Sequence, residues 1–237
     1  MSEELVQMLE AAHDAYERGD YDAGISLFQK ALSVSIQDQD KATIFEFLGH
    51  CYDKKGDEKT AFEFFRKTFS LNPNYFNGWY LLYRYAQLAY RFREFKISIE
   101  YLRRVLDEIP PDKENYVQYT HRLLGNNCLA CNEYRQALHE FKEALRIETN
   151  SKWKSYIYGG IAQAYFGLDK TGKALEFAQK TLTEEYNEGL EEKMYFLLAF
   201  CYGMRGIHKN KEKEEYYTER LRTSFPGSAY LRELEVF

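Results

Sequence analysis

The residues most able to carry out chemistry are two cysteines with a metal-site spacing. Cys128 and Cys131 are three positions apart, as in zinc sites and redox-active dithiols. A structural zinc site needs a second pair of ligands, and the other cysteines, Cys51 and Cys201, lie far away in the chain. Because the pair falls inside a helical pattern, we expect its thiols to behave as small apolar groups.

Other catalytic signals are equally sparse. The five histidines are dispersed, and the chain contains no nucleophile elbow or dinucleotide fingerprint. Gly159 and Gly160 lie within a predicted helix, so close helix packing is expected there rather than phosphate binding. We therefore predict a protein that is not an enzyme and that uses no cofactor and no metal. An active site assembled from scattered residues stays open as the alternative.

The composition favours a folded protein with an aromatic surface. The chain has 237 residues, of which 45% are hydrophobic and 29% charged, and this excludes a disordered polymer or a collagen-like fibre. Its net charge of −5 provides no broad cationic field, so no nucleic acid partner is expected. It also contains 21 Tyr, 17 Phe and 2 Trp, more than a thin helical protein needs. We expect part of this aromatic excess to line a surface.

Two features bear on location. The first residues, from Met1 to Leu5, show neither the basic stretch nor the apolar run of a signal peptide, so a cytoplasmic protein is expected. The most apolar stretch, around Trp79 to Tyr90, is interrupted by Arg84 and Gln87. No membrane span is therefore predicted.

The elements that position the aromatic residues repeat along the chain. One series of small residues recurs at intervals of 37, 37, 39, 37 and 37 residues: Ala12, Gly49, Ala86, Gly125, Ala162 and Ala199. A second series has intervals of 37, 37, 39 and 37 residues: Gly24, Ala61, Ser98, Ala137 and Ala174. Two separate series with one period indicate six copies of a single unit.

The second copy shows why each unit should be a helix pair. Four of its residues fall at i, i+3, i+4 and i+7, one face of a helix: Phe45, Leu48, Gly49 and Tyr52. Ala61 and Phe65 form the matching face of a second helix, and Gly49 is expected to lie against Ala61. Gly56 and Asp57 are suited to end the first helix and cap the second. A larger residue at Gly49 should overpack the pair.

These units resemble the tetratricopeptide repeat, whose pattern places Leu-Gly and an aromatic residue on one helix and Ala and Phe on the next. The resemblance extends over roughly residues 4 to 225, although the period exceeds the usual one by about three residues. It implies an all-α, right-handed α-solenoid of antiparallel helix pairs that occupies residues 1–237 as a single domain. The predicted repeats are 5–41, 42–78, 79–115, 118–152, 155–190 and 192–225, with a capping helix at 227–237.

The resemblance also implies a site. In this family the first helix of each pair lines the concave side, where side chains off the packing stripe can hold a peptide or a partner segment. Position by position, the candidate partner-binding residues are Tyr80, Tyr83, Gln87, Tyr90, Tyr119, Arg122, Asn126, Tyr156, Gln163, Phe166, Lys193, Phe196 and Phe200. The same rule also selects His13, Tyr16, Glu46, His50 and Asp53. For any single tyrosine, packing between widened repeats is the alternative.

A second kind of site receives less support. Some members of the family hold a partner's terminal carboxylate with a clamp of basic and Asn residues. Arg122, Asn126 and Lys193 occupy clamp-like positions, but Gly160 and Leu197 stand where another Asn and an Arg would be. A peptide lying across the aromatic residues is therefore the favoured interpretation.

The sequence thus predicts a non-catalytic protein-interaction module or adaptor. The main alternative is a structural subunit of a larger assembly that uses its convex or end surfaces and self-associates as a homo-oligomer. An RNA-binding helical repeat is a further alternative, which Glu46, Asp53 and the net negative charge disfavour.

Overall fold

The structure is a computed structural model that describes residues 3–34, 37–148, 150–184, 189–204 and 208–235. In these ranges the regular secondary structure is entirely α-helical, and thirteen helices follow one another along the chain. The predicted all-α fold of stacked antiparallel helix pairs is confirmed.

The helices belong to two compact units, Met1–Glu108 and Ile109–Phe237. Unit 1 contains α1 (Glu3–Glu17), α2 (Tyr21–Val34), α3 (Asp38–Lys54), α4 (Glu58–Leu71), α5 (Trp79–Arg91) and α6 (Phe95–Glu108). Unit 2 contains α7 (Glu114–Ala130), α8 (Tyr134–Ile147), α9 (Ser151–Gly167), α10 (Thr171–Thr183), α11 (Glu191–Gly203), α12 (Lys211–Ser224) and α13 (Ala229–Glu235).

The contacts between helices define an inner and an outer layer in unit 2. Each odd-numbered helix pairs with the even-numbered helix that follows it, and α13 packs on α11 and α12. In addition, α7 contacts α9, and α9 contacts α11. Among the described residues, no comparable contacts join α8 to α10 or α10 to α12. The odd-numbered helices therefore lie side by side as the inner layer of this unit.

Short polar turns separate the paired helices, as the sequence predicts. Gly19 and Gly56 end α1 and α3 with φ values of 78° and 81°, which glycine adopts without steric cost. Asp20 and Asp57 follow them, and each carboxylate accepts a hydrogen bond at 3.1 Å from the backbone N–H three residues later. The turn thus ends one helix and caps the next with two adjacent residues.

A phenylalanine ring lies directly against the small residue of α3. A Cβ atom added to Gly49 would lie 2.5 Å from Cε1 of Phe65, which is fully buried. The neighbour expected from the sequence was Ala61, which is also fully buried, but the side chain nearest to Gly49 is Phe65. The Phe65 ring therefore occupies the space that a side chain at position 49 would fill.

The same arrangement occurs twice around one ring in unit 2. An added Cβ would lie 2.8 Å from the Phe141 ring at Gly125 and 2.4 Å from it at Gly160. Phe141, on α8, is thus held between the backbones of α7 and α9. Gly160 serves close helix packing, as expected, and the ring sets the distance between two neighbouring inner helices.

An aromatic cluster around Tyr101 forms part of the core of unit 1. Tyr101 is 7% exposed, and its ring centroid lies 4.5 Å from that of Phe69 and 4.8 Å from that of Tyr85. The guanidinium of Arg104 lies 4.9 Å from the centroid of the same ring. Burial, and secondarily the neighbouring Tyr85, raise the pKa of Tyr101 to about 12.

The contact between Gly49 and Phe65 predicts a large difference between two Gly→Ala variants. Gly49→Ala should lower the free energy of unfolding by about 1–3 kcal/mol, because the methyl group overlaps a buried ring. Gly227→Ala is the matched control, since a Cβ there would meet nothing within 4 Å. Urea unfolding of both variants measures the effect, and equal stabilities would show that the helix register is wrong.

The raised pKa of Tyr101 predicts a loss of stability in alkali. The unfolded chain releases this proton near pH 10, whereas the folded chain keeps it up to about pH 12, so stability falls as the pH rises through this interval. In Tyr101→Phe the loss measured between neutral pH and about pH 11 should be smaller by about 1 kcal/mol. Tyr216→Phe, at a position that is 56% exposed, is the control. The same alkaline loss in Tyr101→Phe and the unaltered chain would contradict this assignment.

Candidate interaction surface

Nine of the residues predicted to bind a partner lie on the inner helices of unit 2. They are Tyr119, Arg122 and Asn126 on α7, Tyr156, Gln163 and Phe166 on α9, and Lys193, Phe196 and Phe200 on α11. The structure brings them together in two groups, one between α7 and α9 and the other near α11.

The first group, here called the arginine cage, consists of Arg122 and three aromatic rings. The guanidinium carbon lies 3.9 Å from the ring centroid of Trp153, 4.7 Å from that of Tyr119 and 5.3 Å from that of Tyr156. Distances below about 6 Å allow a favourable cation–π interaction. Asn126 donates a hydrogen bond from Nδ2 to the Tyr156 hydroxyl at 3.2 Å. Two clamp-like positions are thus engaged within an aromatic cluster of the protein itself.

Sequence reasoning missed Trp153, although its ring is nearest to the arginine. Trp153 precedes Tyr156 by three residues on α9, so the two side chains share one face of the helix. The spacing that selected Tyr156 was therefore also a signal for Trp153. The predicted bounds of the fourth and fifth repeats, 118–152 and 155–190, left this residue between two copies.

The second group surrounds a cavity of about 260 Å³, here called the Lys193 pocket. Four predicted residues line it: Gln163, Phe166, Lys193 and Phe196. The other lining residues were not among those predicted to bind a partner; they are Leu129, Tyr134, Gly167, Leu197 and Tyr230. Helices α7, α8, α9, α11 and α13 therefore all contribute to the pocket.

Aromatic contacts hold the walls of the Lys193 pocket. Tyr230, on α13, stacks on Phe196 with a centroid distance of 4.6 Å and an interplanar angle of 19°. Phe166 packs edge to face with Phe200 at 5.4 Å. The ring of Tyr134 would be 2.4 Å from a Cβ at position 167, so glycine is required there.

The polar groups of the pocket are few. Gln163 donates from Nε2 to the carbonyl oxygen of Gly159 at 3.1 Å, which fixes its side chain along α9. Lys193 is solvent-exposed, yet the protein atoms crowded around its ammonium lower its pKa by desolvation. Within the described residues, Lys193 forms no ion pair closer than 4.0 Å. The pocket thus combines apolar walls with a single positive charge.

The four predicted residues of unit 1 lie on α5 and differ in exposure. Tyr80 is 43% exposed, and Gln87 and Tyr90 are half-buried. Tyr83 is 7% exposed, and its hydroxyl accepts a hydrogen bond from Gln87 Nε2 at 2.7 Å. Tyr83 therefore offers little surface to a partner and corresponds to the packing alternative considered above.

Two acidic residues expected to face the concave side belong to internal networks. Glu46 is 2% exposed and accepts hydrogen bonds from the Tyr75 hydroxyl at 2.7 Å and from Asn77 Nδ2 at 2.9 Å. Asp53 forms an ion pair with Arg84 on α5. Glu46 thus fastens the connection between α4 and α5 to α3, and neither carboxylate is available to a ligand.

The four cysteines differ in burial, and we therefore expect them to differ in reactivity. Cys51 and Cys201 are fully buried, and burial raises the pKa of these thiols to about 11 and about 12. Cys128 is 1% exposed, and Cys131 is half-buried at the carboxyl end of α7. In the described part of the chain, no group of three His, Cys, Asp or Glu side chains could hold a metal ion. No helix there combines the length and the apolar character needed to cross a bilayer.

Comparison with known sequences gives a family match for part of unit 1. A sequence model of the tetratricopeptide repeat matches residues 9–75. This segment includes the copy around Gly49 that carries the pattern most clearly. Within residues 9–75, the resemblance to the tetratricopeptide repeat that was predicted from the sequence is confirmed. Comparison with curated protein sequences gives no significant match.

Solved structures with the same architecture support the fold. The chain is similar to pilF of Pseudomonas aeruginosa, with 15% identity and a TM-score of 0.58 over 98% of this chain and 96% of that chain. The C-terminal part of a TPR repeat-containing protein from Cytophaga hutchinsonii is 18% identical, with a TM-score of 0.60 over 97% of this chain and 87% of that chain. YrrB, a TPR protein, is 17% identical, with a TM-score of 0.61 over 77% of this chain and 87% of that chain. At these identities the likeness concerns the fold alone.

Burial predicts the order in which the four thiols react. Near neutral pH, iodoacetamide should modify Cys131 first. The other three cysteines should react at least roughly tenfold more slowly, because a thiol buried in apolar surroundings is poorly reactive. Peptide mass spectrometry over a time course measures each rate. The same reaction in concentrated guanidinium chloride should label all four. Equal rates at Cys128 and Cys131 in the folded chain would contradict the purely structural interpretation of the pair.

Proposed function

We propose that the chain is a non-catalytic protein-interaction module, in which the inner helices of unit 2 bind a segment of a partner protein. The observation that carries this proposal is the placement of the arginine cage and the Lys193 pocket on α7, α9 and α11, which contact one another in sequence. One extended segment that follows these helices could touch both groups.

The side chains of this surface are of the types that dominate protein interfaces. Tyr, Trp and Arg are enriched among residues that contribute most to binding, because each offers a large, stiff contact area with a polar group. In the arginine cage these three types are already packed together, so little side-chain entropy remains to be lost when a partner docks. This arrangement favours a peptide lying across the aromatic residues.

The comparisons agree with this class of function. Tetratricopeptide repeats are modules of protein–protein interaction or scaffolding, and the structure of YrrB is described as that of a TPR protein with an unusual peptide-binding site. For this chain, the groove, the adaptor role and the cytoplasmic location are parts of the proposal. The exposed Tyr80, with Gln87 and Tyr90, provides a second candidate surface in unit 1.

Truncation of the cage tyrosines should weaken binding. Tyr119→Ala combined with Tyr156→Ala should lower the affinity for a captured partner by at least ~1 kcal/mol, about fivefold, because two aromatic contacts are lost. The experiment recovers partners from an extract of the source cell on the immobilised chain. Titration calorimetry with the most abundant partner then gives its affinity. Thermal unfolding of each variant separates a binding defect from a folding defect.

Tyr216→Ala is the matched control, since it removes an exposed tyrosine from the outer helix α12. Partners retained by this control and lost by the double variant would support the inner surface. Partners lost by the control alone would contradict it and favour a structural subunit that uses its outer surface. A single Tyr80→Ala variant measures the contribution of unit 1.

A further inference from the structure

The Lys193 pocket is smaller than typical small-molecule sites, and its walls are mainly apolar. Its volume of about 260 Å³ lies below the roughly 300–1,000 Å³ of typical small-molecule sites. Aromatic and aliphatic side chains from five helices form its walls, notably Leu129, Phe166, Phe196 and Leu197. The space is therefore suited to one bulky apolar group with little else around it.

Two rings keep this space open. Tyr230 is stacked on Phe196, and Tyr134 is held against the backbone of Gly167. Because each ring has a packing partner of its own, neither must rotate into the cavity to bury its apolar surface. The pocket is thus formed in the chain without a bound partner, which lowers the entropic cost of filling it.

The charge at the pocket defines what should lie beside the apolar group. Lys193 lines the cavity, and within the described residues no carboxylate lies close enough to form an ion pair with it. Glu192 and Glu233 act electrostatically on Tyr230, but neither forms an ion pair with Lys193. A partner carboxylate near this ammonium would supply a counter-charge beside apolar walls, where an ion pair is screened less than on an open surface.

We infer that the Lys193 pocket receives one bulky apolar side chain of an internal partner segment, with an Asp or Glu one or two positions away that pairs with Lys193. This inference rests on the proposed function, and it adds the chemistry of the segment that the inner surface selects. The apolar group provides most of the affinity through burial. The carboxylate provides selectivity for segments in which the two groups are adjacent.

The experiment begins with an unbiased selection. Random peptides displayed on phage are selected on the full chain, and enriched sequences should contain Phe, Trp, Leu or Met within two positions of Asp or Glu. The enriched peptides are then synthesised with acetylated and amidated ends, so that no terminal carboxylate is present. Fluorescence anisotropy gives the dissociation constant of each labelled peptide for the full chain.

The test itself is a double-mutant cycle between peptide and protein. Replacing the apolar residue of the peptide by Ala should weaken binding at least tenfold. Replacing its acidic residue by the amide should weaken binding about fivefold to the unaltered chain and hardly at all to Lys193→Gln. Lys142→Gln removes an exposed lysine from the outer helix α8 and serves as the matched control. It should bind every peptide as the unaltered chain does.

Three outcomes would overturn the inference, and they separate it from the proposed function. If no peptide is enriched, both fail. If peptides bind and depend on Tyr119 and Tyr156, but the acid-to-amide loss is the same with Lys193→Gln, the inner surface binds segments and the inference about Lys193 is wrong. Enriched peptides whose apolar residue is replaced by Ala without loss would likewise exclude the pocket as the anchor site.

Discussion

The contact between a phenylalanine ring and a glycine backbone governs the geometry of this protein. Phe65 occupies the space beside Gly49, and Phe141 lies between Gly125 and Gly160. Each contact fixes how a helix is rotated about its own axis, and a shift of one residue would turn it by about 100°. The side chains that reach the inner surface of unit 2 are therefore selected by the ring packed behind them. The arginine cage and the Lys193 pocket therefore depend on the contact of Phe141 with Gly125 and Gly160, although none of these three residues belongs to either site.

The repeat architecture could be predicted from sequence because small residues mark every copy with one period. The turn residues could be predicted for a similar reason, since a glycine with positive φ followed by a capping aspartate is a local requirement. The neighbour of Gly49 could not. Ala61 and Phe65 lie four residues apart on one face of α4, so periodicity shows that both face α3 without showing which lies nearest.

The candidate site was predictable only as far as it follows the repeat. The spacing rule selected both Tyr80 and Tyr83, which are three residues apart, yet one is 43% exposed and the other 7%. That difference depends on the neighbouring side chains, which a periodic pattern does not specify. Glu46 shows the same effect, because its partners Tyr75 and Asn77 come from an irregular connection. Tyr230 lies on a helix after the last repeat, where no period could place it.

The two cations of the inner surface have different roles because their surroundings differ. Arg122 is enclosed by three ring faces, which suit a planar, delocalised and weakly hydrated guanidinium. Its charge therefore helps to hold α7 and α9 in position. A lysine ammonium is compact and strongly hydrated, so desolvation at the Lys193 pocket is unfavourable to it and lowers its pKa. In the proposed interaction surface, Arg122 therefore contributes to a preformed aromatic cluster, whereas Lys193 supplies charge selectivity beside an apolar pocket.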